Sequence, residues 1–229
     1  MGEVIITRRG STLKITGQTE EMVRFGEAIN KYDPVYVKFV GTKLSNPLTL
    51  PTDTGYAVAF DPTGTYLAVA HWSSPYITIY KQNDDTFTKL SNPATLPTGV
   101  GNGVAFDPTE TYMAVAHGNS PYITIYKRND DTFTKLSNPL TLPTGHGYGV
   151  AFDPTETYMA VAHGNSPYIT IYKRNDDTFT KLSNPLTLPT DTGNGVAFDP
   201  TETYMAVAHN SSPYITIYKR NDDTFTKLS

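Results

Sequence analysis

The chain has 229 residues and a formal net charge of −4, from 18 basic and 22 acidic residues spread along its length. It has no basic stripe, which argues against a nucleic-acid-binding surface, and no cysteine, which excludes disulfides and thiolate chemistry. Its 16 Tyr, ten Phe and frequent Thr favour strands over helices, so we expect an all-β protein.

The N-terminal sequence carries no membrane or export signal of the usual kinds. The residues after Met1 lack an apolar leader, and Gly2 is followed by Glu-Val-Ile-Ile, which misses the hydroxyl of the myristoylation pattern. No run of about 18 apolar residues exists to span a bilayer. We therefore expect synthesis in a cytoplasm and no membrane insertion.

Residues 1–42 form a segment without repeats, in which the sequence predicts a small β-rich structure. Alternating or β-branched stretches occur at Val4–Thr7, Thr12–Thr16 and Val35–Phe39. At close to the length of one repeat unit, the segment can be either a particle anchor or a divergent additional blade.

One phrase of this segment, Gly26-Glu-Ala-Ile-Asn-Lys-Tyr-Asp-Pro-Val-Tyr-Val-Lys38, resembles a segment near the start of phage capsid decoration (cement) proteins. Those proteins often read GEAIxxGDxVYV, and Tyr32 stands where their pattern has Gly. The resemblance implies that residues 1–42 attach the chain to a protein partner, such as a capsid or a further copy of itself.

The rest of the chain is a tandem repeat with a fixed period of 46 residues. The phrase Lys-Leu-Ser-Asn-Pro recurs without any insertion or deletion, and a truncated copy ends the chain. A period of this size is typical of repeat architectures. The four units are 43–88, 89–134, 135–180 and 181–226, within a repeat region of 43–229.

Each unit is predicted to contain four short strands. In the second unit Ile123 and Ile125 alternate with Tyr122, Thr124 and Tyr126, which is the pattern of a strand with two distinct faces. Asp-Pro and Asn-Asp-Asp are typical turn formers, because proline presets φ and short polar side chains bond their own backbone. The predicted strands are Gly103–Phe106, Tyr112–Ala116, Tyr122–Tyr126 and Thr132–Leu136, with turns at Asp107–Glu110 and Asn129–Asp131.

Such a sheet cannot bury both faces alone, so its neighbours must stack on it, as blades do in a β-propeller. The phrase from Gly103-Val-Ala-Phe-Asp-Pro to Ala-Val-Ala-His117, followed by Ser120-Pro-Tyr-Ile-Thr-Ile-Tyr126, resembles the blades of WD-repeat and YVTN-type propellers. It lacks the Trp-Asp dipeptide of the WD class, and its units are unusually alike. The predicted fold is an all-β propeller of four near-identical four-stranded blades plus the N-terminal segment.

Closure of the ring has three possible solutions at this point, since an open propeller leaves a strand edge and a blade face in water. Either the four blades close by themselves, or residues 1–42 supply a fifth, or two chains complete one larger ring.

Comparing the units with each other predicts a ligand-contacting face. The third and fourth units differ at five positions, all in the connection entering the first strand or in the one between strands two and three. In a four-stranded blade these connections emerge on the same face, so the differences indicate either drift in loose loops or a binding surface. The differing pairs are Gly145/Asp191, His146/Thr192, Tyr148/Asn194, Gly164/Asn210 and Asn165/Ser211.

The candidate site on this variable face combines aromatic and amide side chains. Trp72, the single tryptophan, is suited to stacking on a sugar or to a protein contact. The predicted ligand-binding residues are Tyr56, Trp72, Asn102, Asn119, His146, Tyr148, Asn165, Asn194 and Asn210.

No catalytic residue, metal site or cofactor is predicted. The recurring His71, His117, His163 and His209 are interpreted as strand-end residues, because no carboxylate or thiol stands at ligand spacing. The Asp-Pro aspartates are interpreted as turn formers, and the Asp-Asp pairs lack the glycine and distal glutamate of a calcium loop. An active site needs different groups at one point, whereas near-identical blades supply the same group repeatedly, so we expect no enzyme.

The leading functional hypothesis is a non-enzymatic display protein of a phage virion, made in the host cytoplasm, with residues 1–42 on the capsid and the propeller outward. The alternative is a soluble cytoplasmic propeller that binds carbohydrate or protein in the manner of a lectin, including an engineered one. Weak binding at several equivalent loops would then combine into a higher affinity through avidity.

Overall fold

The computed structural model describes residues 3–8, 11–16, 36–40 and 43–228. The chain divides into two compact units, Met1–Ser45 and Asn46–Ser229. The boundary lies just after the expected one at residues 42 and 43. In the described residues no helix is present that could cross a membrane.

The N-terminal unit contains an antiparallel sheet with the order β2-β1-β3. Its strands are β1 (Glu3–Arg8), β2 (Ser11–Thr16) and β3 (Tyr36–Val40), which confirms the three predicted stretches. The first strand of the chain is central, and its Glu3 is level with both Thr16 and Val40. This order differs from the sequential order of a blade. Residues 26–35, which carry most of the decoration-protein phrase, lie outside the described residues.

The second unit consists of four antiparallel sheets, each with its four strands in sequence order. The predicted all-β, propeller-type repeat fold is thereby confirmed. Blade 1 contains β4 (Gly55–Phe60), β5 (Tyr66–His71), β6 (Ile77–Asn83) and β7 (Thr86–Lys89), and blade 2 contains β8 (Gly101–Phe106), β9 (Tyr112–His117), β10 (Ile123–Asn129) and β11 (Thr132–Lys135). Blade 3 contains β12 (Gly147–Phe152), β13 (Tyr158–His163), β14 (Ile169–Asn175) and β15 (Thr178–Lys181), and blade 4 contains β16 (Gly193–Phe198), β17 (Tyr204–His209), β18 (Ile215–Asn221) and β19 (Thr224–Lys227).

Local chemistry explains where the strands begin and end. The buried carboxylate of Asp107 accepts a hydrogen bond from the Tyr112 backbone N–H at 2.6 Å and another from the Thr109 hydroxyl at 2.7 Å, which confirms its role as a turn former. The third strand starts at Ile123 rather than at the predicted Tyr122, because Tyr122 has a φ of 65° and so leaves the extended region.

Each inner blade buries both of its faces. The leading face of a blade, which points to the previous blade, carries Val104, Met113, Val115, Tyr126 and Phe133 in blade 2. The trailing face, which points to the next blade, carries Tyr112, Ala114, Ala116, Ile123 and Ile125 in blade 2 and packs on the leading face of blade 3. The predicted alternation along the third strand is confirmed by this division. Large side chains on one face meet small and β-branched ones on the other, which allows the sheets to interdigitate.

Close approach of neighbouring blades requires glycine at the first residue of the first strand in blades 2, 3 and 4. A β-carbon on Gly147 would overlap the backbone carbonyl oxygen of Tyr122 in the preceding blade, and Gly101 and Gly193 have the same relation to Tyr76 and Tyr168. Gly55 in blade 1 has only an ordinary contact, with Val69 of its own blade.

A polar cluster joins successive blades beside the apolar contact. The Tyr112 hydroxyl donates to Asp177 at 2.6 Å, and the Lys127 ammonium lies 2.8 Å from the same carboxylate. The Arg174 guanidinium lies over the Tyr112 ring, 5.1 Å from its centroid. Burial, followed by the bond to Asp177, raises the pKa of Tyr112 to about 12, and the bonds from Lys127 and Tyr112 lower the pKa of Asp177. Blades 1–2 and 3–4 repeat this arrangement.

The four blades do not close a ring by themselves. The first strands β4, β8, β12 and β16 contact each other in succession. On the leading face of blade 1, Val58 is 67% exposed, whereas its equivalent Val104 in blade 2 is 8% exposed. On the trailing face of blade 4, Ile217 is 39% exposed, whereas its equivalent Ile171 is 2% exposed. Self-closure is therefore ruled out among the three solutions that the sequence left open.

Candidate functional site

The two connections that vary between the units lie side by side, as predicted. In blade 2 the backbone N–H of Gly118 donates to the carbonyl of Val100 at 3.0 Å, and the Asn119 amide donates to the carbonyl of Thr98 at 2.9 Å. The entry to the first strand and the connection between strands two and three thus form one surface. We call it the variable face.

Two of the five variable positions are coupled for structural reasons. In blade 3 a β-carbon on Gly145 would lie 2.9 Å from the side-chain carbon of Asn165, so the large amide requires glycine opposite it. In blade 4 the equivalent pair is Asp191 and Ser211, and the serine hydroxyl donates to the carboxylate at 2.6 Å. Blade 1 uses the same aspartate–serine bond and blade 2 the same glycine–asparagine pair. These positions are alternative ways to fix the same loop, so they do not themselves indicate a ligand.

A second pair of positions holds a different combination in every blade. Tyr56 and Trp72 are neighbours in blade 1, with ring centroids 6.1 Å apart. Asn194 donates to the side-chain oxygen of Asn210 at 2.6 Å in blade 4. The inner blades have a larger side chain opposite glycine, with Asn102 opposite Gly118 in blade 2 and Tyr148 opposite Gly164 in blade 3. No loop requirement common to the blades explains this diversity.

An open cleft of about 500 Å³ lies on the variable face, with walls from blades 1, 2 and 3. A volume of this size suits a small organic ligand. Trp72, which is 53% exposed, forms one wall, and His146 and Tyr148 form the other with ring centroids 6.5 Å apart. The lining comprises Trp72, Ser73, Ser74, Tyr76, Gly99, Val100, Asn102, Gly118, Asn119, His146 and Tyr148.

Five of the predicted site residues line this cleft, namely Trp72, Asn102, Asn119, His146 and Tyr148. Two of their side chains already make hydrogen bonds within the protein. The Asn102 amide donates to the carbonyl of Gly147 at 2.8 Å, and the Asn119 amide donates to the carbonyl of Thr98 in its own blade.

The other four predicted residues do not line the cleft in the described structure. Tyr56 packs on Trp72 beside it. Asn165 donates to the carbonyl of Thr144 at 2.9 Å in blade 3, and the Asn194 amide donates to Asn210 in blade 4, so the side chains of these three residues bond within their own blades.

Ser73, Ser74 and Tyr76 line the cleft but were not predicted. Ser74 and Tyr76 belong to a Ser-Pro-Tyr phrase present in every unit, so comparison of the units gives no signal for them. The copy of the phrase in blade 1 differs from the others only because it lies close to Trp72.

The recurring histidines are buried inside separate blades. Nε2 of His71, His117, His163 and His209 lies 2.8–3.0 Å from the hydroxyl of a threonine in the same blade. Burial lowers the pKa of His117 and His163 to about 4. Among the described residues no group of three or more His, Asp or Glu side chains is arranged to hold a metal ion.

Comparisons with known proteins give the fold class and no family. No protein-family model and no curated protein sequence matches the chain. Solved structures do match in fold, including a proposed 6-phosphogluconolactonase from Bacteroides uniformis with a TM-score of 0.66 and 15% identity over 83% of this chain and 59% of that one. A second from Bacteroides fragilis has a TM-score of 0.64 and 14% identity over 88% and 62%.

A functionally unknown protein from Desulfotomaculum acetoxidans matches with a TM-score of 0.65 and 13% identity over 84% of this chain and 59% of that one. The chain thus spans about three fifths of the length of these structures. Together with the repeated four-stranded sheets, the matches define a β-propeller-type repeat protein.

The prediction that the chain is not an enzyme is overturned by these neighbours, because two of them are proposed 6-phosphogluconolactonases, which are enzymes. That prediction assumed that near-identical blades present only equivalent groups. The cleft instead combines Trp72, Asn102 and His146, which occupy three different positions of the repeat. At such low identity the likeness shows the fold alone and carries no activity over to this chain.

The coupling of the two loop positions predicts a rescue experiment. Gly145→Asp alone should destabilise the protein by about 1–3 kcal/mol, because the new side chain overlaps Asn165. Adding Asn165→Ser should restore most of that loss, since it recreates the aspartate–serine bond of blade 4. Urea unfolding of wild type, both single variants and the double variant measures the coupling, and simple additivity would contradict it.

The buried histidines predict a loss of stability in mild acid. The ordinary pKa of 6.5 falls to about 4 in the folded state for His117 and His163, so the unfolded chain binds protons first as the pH drops. The free energy of unfolding should therefore fall from pH 6.5 towards 4. Asp131, Asp177 and Asp223, whose pKa values lie below 3.8, lose their contribution only at lower pH. A free energy of unfolding that stays constant between pH 6.5 and 4 would contradict this account.

Proposed function

We propose that the propeller binds an uncharged carbohydrate in the cleft between blades 1, 2 and 3. The carrying observation is the convergence of the Trp72 and Tyr148 rings and the Asn102 amide, which three different blades supply from two positions of the repeat. Because loop fixation accounts for the Gly145/Asp191 and Asn165/Ser211 differences but not for this set, a binding role is its best explanation.

The composition of the cleft favours a neutral sugar over other ligands. Exposed aromatic rings stack on the C–H faces of a sugar, while serine hydroxyls and amides bond its hydroxyl groups. The lining residues given above include no Lys, Arg, Asp or Glu side chain. A phosphorylated sugar would therefore meet no cationic partner in the cleft, whereas a neutral glycan needs none.

The capsid-decoration role of residues 1–42 stays a prediction, because residues 26–35 lie outside the described part of the chain. The same holds for its consequences, a capsid partner and a virion location.

The carbohydrate proposal predicts a position-specific loss of binding. A glycan array identifies a neutral ligand for the wild-type chain, and Trp72→Ala should then raise its Kd by about tenfold or more, because an exposed stacking ring is removed. Asn210→Ala is the matched control, since residue 210 holds the position of Trp72 in blade 4 and does not line the cleft. Equal effects of the two variants, or no neutral glycan bound at all, would contradict the proposal.

A further inference from the structure

The two ends of the blade array carry unmatched halves of one interface. Blade 1 exposes its leading face, with Val58 and Phe60 more than half exposed and Leu67 and Val69 partly exposed. Blade 4 exposes its trailing face, which contains Tyr204, Ala208, Ile215 and Ile217. Inside the array each leading face is covered by a trailing face. Exposed apolar surfaces of this kind are typical of interaction sites.

We propose that two copies of this chain close one ring, in which the trailing face of blade 4 of each copy binds the leading face of blade 1 of the other. The three internal junctions show that a trailing face and a leading face of these blades fit each other. There the equivalents of Ile215 and Ile217 pack against the equivalents of Val58 and Val69, and all are buried except Val196, which is partly buried. The blade 4 strands that carry this face, Tyr204–His209 and Ile215–Asn221, are identical in sequence to those of blades 2 and 3.

The polar cluster of the internal junctions supports the same register. Tyr204 and Lys219 hold the positions of Tyr112 and Lys127, which bond the aspartate of the following blade. Gln82 replaces the arginine that lies over the tyrosine ring, so the junction between copies has no equivalent of that cation–π contact.

One further observation favours a closed pair of chains. Leu67 stands where the other blades have methionine, so this outward position changed in sequence yet stayed apolar. A second copy supplies four more blades, and eight blades lie within the range known for propellers. Head-to-tail contact closes into a ring when the rotation per copy permits it.

The mass in solution is the first test. Sedimentation equilibrium of the full chain at micromolar concentration should give twice the 25.2 kDa mass of one chain. Val58→Asp and Ile217→Asp, each of which places a charge on one half of the interface, should each reduce the mass to that of one chain. Leu140→Asp is the matched control, because Leu140 is a fully exposed loop leucine, and its mass should stay doubled. Circular dichroism and thermal melting of every variant distinguish lost association from lost folding.

Mixing the two variants tests the head-to-tail arrangement itself. The Val58→Asp chain keeps its blade 4 face and the Ile217→Asp chain keeps its blade 1 face, so the mixture should form a 1:1 complex through one intact junction. Two further results would overturn the proposal: a wild-type chain that sediments as a single chain or as a ladder of growing masses, or folded variants that stay associated alone.

Discussion

Burial of each blade against the next is the interaction on which this structure depends. A blade is apolar on both faces, since alternate residues such as Ile125 and Tyr126 point to opposite neighbours and both are buried. No blade can therefore satisfy its own faces, and stability is a property of junctions rather than of single sheets. The glycine at residues 101, 147 and 193 belongs to the same constraint, because any side chain there would meet the carbonyl group of the preceding blade.

The same constraint explains where sequence differences are tolerated. Positions inside a junction are nearly invariant among the four units because each must fit the neighbouring blade. Variation on the variable face has two sources. The Gly145–Asn165 and Asp191–Ser211 pairs solve one local packing problem in two ways. The residues around Trp72 differ without such a reason, and they are the ones that form the cleft.

The sequence was sufficient for what lies within one repeat and insufficient for what depends on the angle between repeats. The period, the four strands and the turn role of Asp107 follow from spacing and residue type, and in the second unit only the end residues Tyr122, with its positive φ, and Leu136 fall outside the strands predicted for them. Closure could not be decided, because it depends on how far each blade rotates relative to the last. The cleft was found only in part, since Ser74 and Tyr76 take part through their place beside Trp72 and not through any difference in sequence.

Residue-resolved hydrogen exchange on the Val58→Asp chain tests the central role of the junctions most directly. Each blade then has the same strands and hydrogen-bond pattern, but blades 2 and 3 have two junctions whereas blades 1 and 4 have one. The account predicts that amides in the middle strands of blades 2 and 3 exchange more slowly than their equivalents in blades 1 and 4. Equal protection in all four blades would show that each sheet is stable by itself and would contradict the account.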